Sequence, residues 1–92
     1  MNYFVYILIT YSKDRYISYV GYTSNINKRI NAHNSSKGAK FTKGRKWKII
    51  YKKKFNTKSE AMKAEIKLKK NLKFRNKVKN KYIKNVNQQS TC

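Results

Sequence analysis

The stretch from Tyr3 to Tyr11 constrains the fold more than any other part of the chain. Both of its alternating sets, Tyr3, Val5, Ile7, Ile9 and Phe4, Tyr6, Leu8, are apolar or aromatic. An extended strand of this composition has no face that can rest in water, so it needs cover on both sides. A polar stretch, Ser12-Lys13-Asp14-Arg15, separates it from a second run of the same kind, Tyr16 to Tyr22. The pair reads as an antiparallel hairpin with a short loop. A third strand is expected from Trp47 to about Lys54. The fold class that follows is α/β in the α+β sense: a small three-stranded antiparallel sheet flanked by helices.

The helices that supply this cover are legible from periodicity and caps. Ser24 reads as an N-cap opening a helix to about Asn34, with Ile26 and Ile30 one turn apart on one stripe and Arg29 and His33 one turn apart on its neighbour. Thr57-Lys58-Ser59-Glu60 has the form of a capping box and starts a helix that runs to about Lys70. On that helix Ala61, Ala64 and Leu68 define the inward stripe, and Glu65 falls in its middle. Phe74, Val78 and Tyr82 at four-residue spacing predict a last helix. Between the first helix and the third strand, Ser35 to Lys46 contains Gly38 and Gly44 among lysines and is expected to be a mobile basic loop. At 92 residues the chain holds one domain, assigned to 1–86, with a frayed polar tail at 87–92.

Charge narrows the partner class. Lys and Arg number 24 against 3 acidic residues, a formal net charge of +21, and 20 of the 24 cations are lysine. A domain that must fold against this much self-repulsion is expected to meet a polyanion, and nucleic acid fits better than an anionic membrane surface. No apolar stretch approaches the roughly 20 residues that a membrane span requires. Without a basic segment leading into a cleavable apolar one, the expected location is cytoplasmic.

The same scarcity of functional groups removes several chemistries. Asp14, Glu60, Glu65, His33 and Cys92 are the complete set of acids, histidines and cysteines. Zinc clusters need more Cys and His, and one Cys forms no internal disulfide. A two-metal nuclease usually requires several convergent carboxylates, so a nuclease built from this chain works with one metal at most. Glu60 has a structural task in the capping box. Glu65 on an inward stripe is costly unless paired, which leaves two readings open: a buried salt bridge with a cation such as Arg29, or a ligand for a hard metal.

Val5-Tyr6-Ile7 on the first strand and Tyr19-Val20-Gly21 on the second resemble the paired motifs that name the GIY-YIG nuclease superfamily. The resemblance continues through Gly21-Tyr22-Thr23, Arg29, His33-Asn34, Gly38-Ala39-Lys40-Phe41-Thr42 and the helix from Ser59 through Glu65 to Lys70. Over about residues 2 to 70 the chain looks like the short single-domain branch, which is similar to the N-terminal nuclease domain of the bacterial excision-repair endonuclease. Val5 stands where the motif has Gly, Val20 where it has Ile, and Trp47 where relatives often have Pro; none of these changes removes a chemical group.

The resemblance implies a metal-dependent endonuclease that hydrolyses phosphodiester bonds in DNA, or in RNA, with Mg²⁺ or Mn²⁺ held by Glu65. It implies that Tyr6 positions or deprotonates the attacking water, that Tyr19 hydrogen-bonds nearby, that Arg29 stabilises charge on the phosphate, and that His33 supports Tyr6 or the phosphate. Gly21, Tyr22, Lys37, Lys40, Lys43, Arg45 and Lys46 are the expected nucleic-acid contacts. The expected action is nicking that is structure-selective or weakly specific, in a DNA-repair setting and without a small-molecule cofactor. A non-catalytic basic module on the same scaffold is the alternative.

Overall fold

The computed structural model describes residues 2–38 and 40–90, with 87–90 described by their backbone alone. Its elements in chain order are strand β1 (Tyr3–Ser12), strand β2 (Arg15–Thr23), helix α1 (Ile26–Asn34), a single 3-10 turn at Lys40–Thr42, strand β3 (Lys48–Phe55), helix α2 (Lys58–Lys70) and helix α3 (Leu72–Ser90). The strands form one antiparallel sheet in the order β2-β1-β3, so the strand with two apolar faces lies in the middle. Val5 through Thr10 are buried without interruption.

Each face of β1 has its own cluster. On one, Val5 and Ile7 join Val20 with Ala61 and Leu68 of α2, and Phe74 and Val78 of α3 pack against them. On the other, Tyr6 and Leu8 join Trp47, with Ile26 and Ile30 of α1 alongside. Removing this much apolar area from water is the main stabilising term for so small a domain. Tyr51 meets Phe74 edge-on at 5.4 Å and Tyr16 meets Tyr82 at 6.5 Å, which seats α3 along the sheet through the expected four-residue stripe.

The hairpin closes in two residues. Ser12 pairs with Arg15, and Lys13 and Asp14 take φ values of 52° and 65°. Positive φ at both central positions is the type I′ geometry that suits the right-handed twist of the strands, here without the usual Asn or Gly. On the other side of β1 the pairing with β3 shifts register between Ile7 and Leu8.

Two expectations are corrected. The N-cap of α1 is Asn25, whose side chain accepts from Lys28 N, while Ser24 lies in a turn tied by Thr23 Oγ1 to Asn25 N at 3.1 Å. The loop expected to be mobile is anchored at Thr42 and Lys46: Thr42 is fully buried, its carbonyl accepts from Trp47 Nε1 at 3.0 Å, and Thr10 Oγ1 donates to Lys46 O. Helix α3 runs to Ser90, and Thr91 and Cys92, the end of the expected tail, lie outside the described residues. Thr57 caps α2 as expected, its Oγ1 accepting from Glu60 N at 3.2 Å, while the Glu60 carboxylate accepts from that hydroxyl at 2.9 Å. Asn71 separates the last two helices: its side chain caps α3 through Phe74 N, and Arg75 donates to the Leu68 and Lys69 carbonyls that end α2.

Candidate active site

Pairing between β1 and β2 sets Tyr6 directly opposite Gly21. The Tyr6 ring occupies the space that a side chain at residue 21 would need: a Cβ built there would collide with the phenol oxygen and lie 2.7 Å from Cζ. Gly21 is therefore the residue that lets Tyr6 lie flat over β2. Helix α1 then delivers two side chains from one stripe. Arg29 Nε donates to the Tyr6 oxygen at 3.4 Å, and His33 Nε2 lies 3.0 Å from the same atom.

His33 is fully buried, and its other ring nitrogen, Nδ1, is 2.7 Å from Thr42 Oγ1. The Tyr19 ring closes over His33 edge-on at 5.3 Å and stacks on Phe41 at 6.0 Å. The structure thus brings together Tyr6, Tyr19, Arg29 and His33, and it adds Thr42 and Phe41 from the loop. His33 is sealed from solvent, with its Nε2 turned to Tyr6. Asn34, next on α1, clamps the start of β3 by accepting from Trp47 N and donating to Trp47 O.

Burial sets the electrostatics of the cluster. It pushes the Tyr6 phenol above its usual range, opposed by the hydrogen bond and charge of Arg29 and reinforced by Tyr19 and Glu65. It also lowers His33, with the Arg29 charge acting in the same direction, so the ring is neutral at pH 7. Arg29 is held charged chiefly by its hydrogen bond to Tyr6. At neutral pH the site therefore contains a protonated phenol, a neutral imidazole and a fixed cation.

Glu65 stands on α2, which packs on the opposite face of the sheet, and its link to the cluster is the effect of its charge on Tyr6. Its side chain is 16% exposed, and Lys69 Nζ lies 3.4 Å from Oε1, one turn along the helix. Lys69 is itself 54% exposed, so the pair lies at the margin of solvent; it is neither sealed nor made with Arg29. Among the described residues no three His, Cys, Asp or Glu side chains converge. The donor set fits a hard cation only as a one-carboxylate site whose other oxygens come from water and substrate. A cleft lined by Ser18, Tyr19, Val20, Phe41, Lys69 and Arg75 runs between the two faces around β2, with a volume of about 250 Å³.

Of the expected nucleic-acid contacts, Lys37, Lys40, Lys43 and Lys46 are exposed. Arg45 lies over the Phe41 ring at 5.2 Å. Tyr22 turns to the α2 and α3 face and packs against that cluster, and Gly21 is buried beneath Tyr6. These two are packing positions, not open contact surface.

Residues 2–87 match the family described as the GIY-YIG catalytic domain. The chain belongs to that family. A UPF0213 protein of Staphylococcus haemolyticus is 45% identical over 65 residues, which cover 70% of this chain and 78% of the relative. One from Streptococcus agalactiae is 50% identical over 48 residues, spanning 51% of this chain and about half of the relative, 54%. A solution NMR structure of a UPF0213 protein from Bacillus halodurans is 40% identical, covers 91% of this chain and 86% of that one, and has a TM-score of 0.45. The chain thus carries a GIY-YIG catalytic domain over nearly its whole length. Among the described residues no helix is long and apolar enough to cross a membrane.

Proposed function

We propose that this GIY-YIG domain is a divalent-metal-dependent endonuclease that nicks DNA, selecting its target by structure or only weakly by sequence. The observation that carries the reading is the convergence of Arg29 and His33 on the Tyr6 phenol oxygen. A buried tyrosine held by an arginine and a histidine has no need of that arrangement merely to fill a core. The net charge of +21 supports a polyanionic substrate, and the exposed lysines beside the site supply contacts that do not read sequence.

Of the two groups on the Tyr6 oxygen, His33 is sealed and Arg29 is partly exposed, so substrate approaches from the Arg29 side. There Tyr6 orients the attacking water, or takes its proton while passing its own to the neutral His33 ring, and Arg29 stabilises charge on the phosphate oxygens. Tyr19 holds the His33 ring in place. Mg²⁺ or Mn²⁺, held by Glu65, would polarise the phosphate and lower the pKa of water when bound. Lys69 neutralises Glu65 until then. The cytoplasm and DNA repair are the setting that we infer.

The test is nicking of a supercoiled plasmid and of flapped and branched oligonucleotides, with Mg²⁺ and with chelator. Metal-dependent nicking supports the proposal. Tight, salt-sensitive binding with no cleavage under any metal would leave the non-catalytic binding module.

A further inference from the structure

The hydrogen bonds around Tyr6 have only one consistent direction. Arg29 Nε is a donor without alternative, so the Tyr6 oxygen accepts from it. Tyr6 is 1% exposed, and a buried hydroxyl places its proton on an acceptor. The other group at hydrogen-bond distance from that oxygen is His33 Nε2, at 3.0 Å. Nε2 must then be the unprotonated nitrogen, and Nδ1 carries the hydrogen of a neutral ring. The group at 2.7 Å from Nδ1 is Thr42 Oγ1.

We infer that Thr42 is a positioning residue for the reaction: by accepting from His33 Nδ1, it holds the ring in the tautomer that draws the Tyr6 proton inward. The chain of donors runs Arg29 to Tyr6 and Tyr6 to His33 to Thr42. Its consequence is that the Tyr6 hydrogen points inward to His33, away from the substrate side. With the other tautomer, Nε2 would donate to Tyr6 and the phenol hydrogen would turn toward the substrate side. Thr42 acts through His33 and touches neither substrate nor metal.

Two features of the fold make this more than a chance contact. Thr42 is fully buried on the 3-10 turn, and that turn is fixed by Trp47 Nε1 donating to the Thr42 carbonyl. Gly38 packs so closely on His33 that a Cβ there would collide with Nδ1, so the loop closes directly over this nitrogen. The basic loop therefore does more than offer lysines to a polyanion; it supplies the last acceptor in the chain of hydrogen bonds that orients Tyr6.

The catalytic consequence rests on the proposed nuclease reading, whereas the tautomer does not. His33 is the single histidine of the chain, so long-range ¹H–¹⁵N correlation of the imidazole gives one unambiguous pattern. The expected pattern is a protonated Nδ1 and a bare Nε2. Thr42→Val should shift the ring toward protonated Nε2 and slow nicking roughly 10- to 100-fold at unchanged DNA affinity, as removal of an orienting group does elsewhere. Thr42→Ser keeps the hydroxyl and should retain the parental spectrum, with nicking within about twofold of the parent. A parental protein with protonated Nε2 overturns the inference, and so does a folded Thr42→Val protein with parental spectrum and rate. If Thr42→Val fails to fold, the parental spectrum and the Thr42→Ser rate still decide. A protein that never nicks refutes the nuclease reading while the spectrum continues to judge Thr42.

Discussion

Replacing Gly21 with Ala isolates the closest packing in the site. Gly21 has no left-handed φ that would require a glycine, so the substitution tests space alone. The added methyl would overlap the Tyr6 oxygen and lie 2.7 Å from Cζ and 3.2 Å from Cε1. A free phenol would swing aside, but this one is 1% exposed and held by Arg29 and His33. Forcing an extra carbon into a filled core costs about 1–3 kcal/mol, and each displaced hydrogen bond adds about 1 kcal/mol. Reduced freedom of the unfolded chain returns up to about 1 kcal/mol. With one of the two bonds displaced, the net loss is about 1–4 kcal/mol, or roughly 4 to 30 °C in Tm for a domain of this size. Thermal unfolding followed by circular dichroism measures it. In a Tyr6→Phe background the leading clash is absent, so the cost of Ala should be smaller. A Tm within a degree or two of the parent, or strict additivity in the double variant, would show that Tyr6 does not lie over Gly21.

Three further outcomes follow from the same geometry. Lys13→Asn with Asp14→Gly suits the two positive φ values of the hairpin turn better and should stabilise the fold by about 1 kcal/mol, read as a higher Tm. Folding stability should fall as pH drops through 6.5, because the unfolded chain protonates its histidine while buried His33 has a lowered pKa; it should fall again above pH 10, where unfolded Tyr6 ionises before the folded phenol does. With a single histidine in the chain, His33→Asn should flatten the Tm profile between pH 5 and 7, and an unchanged slope there would contradict the buried neutral ring. Affinity for random-sequence duplex should fall steeply with salt, each phosphate contact adding about 0.9 to the logarithmic slope, and a flat response would remove the electrostatic account of binding.

Much of this architecture was legible because it rests on local rules. The two apolar sets of β1, the cap at Thr57 and the stripe of Phe74, Val78 and Tyr82 each reflect one element's own periodicity. The N-cap of α1 was misplaced by one residue since Ser24 and Asn25 are both good caps, and the choice between them is made by Thr23. Thr42 falls within the Gly38 to Thr42 stretch that carries part of the resemblance, but no role for it is legible there, because its contact is with His33, nine residues away. Spacing alone paired Arg29 with His33; bringing them to Tyr6 requires α1 to cross the sheet. The Glu65 and Lys69 pair follows from an i,i+4 rule that could have been applied to the sequence, whereas Arg29 as its partner would have required a tertiary contact that the fold does not make.

The central claim is that Glu65 holds a catalytic metal while Glu60 serves only the cap of α2. Nicking by Glu65→Gln and Glu60→Gln proteins in Mg²⁺ or Mn²⁺, measured beside their DNA affinity and Tm, separates the two roles. Gln at 65 keeps size and hydrogen-bonding capacity but removes the charge that a hard cation requires. It should abolish nicking, leave DNA binding intact or tighter, and change Tm little, because its partner Lys69 is more than half exposed. Gln at 60 still caps the helix and should leave all three unchanged. Undiminished nicking by folded Glu65→Gln, with or without a loss of stability, would return Glu65 to a structural role and contradict the account.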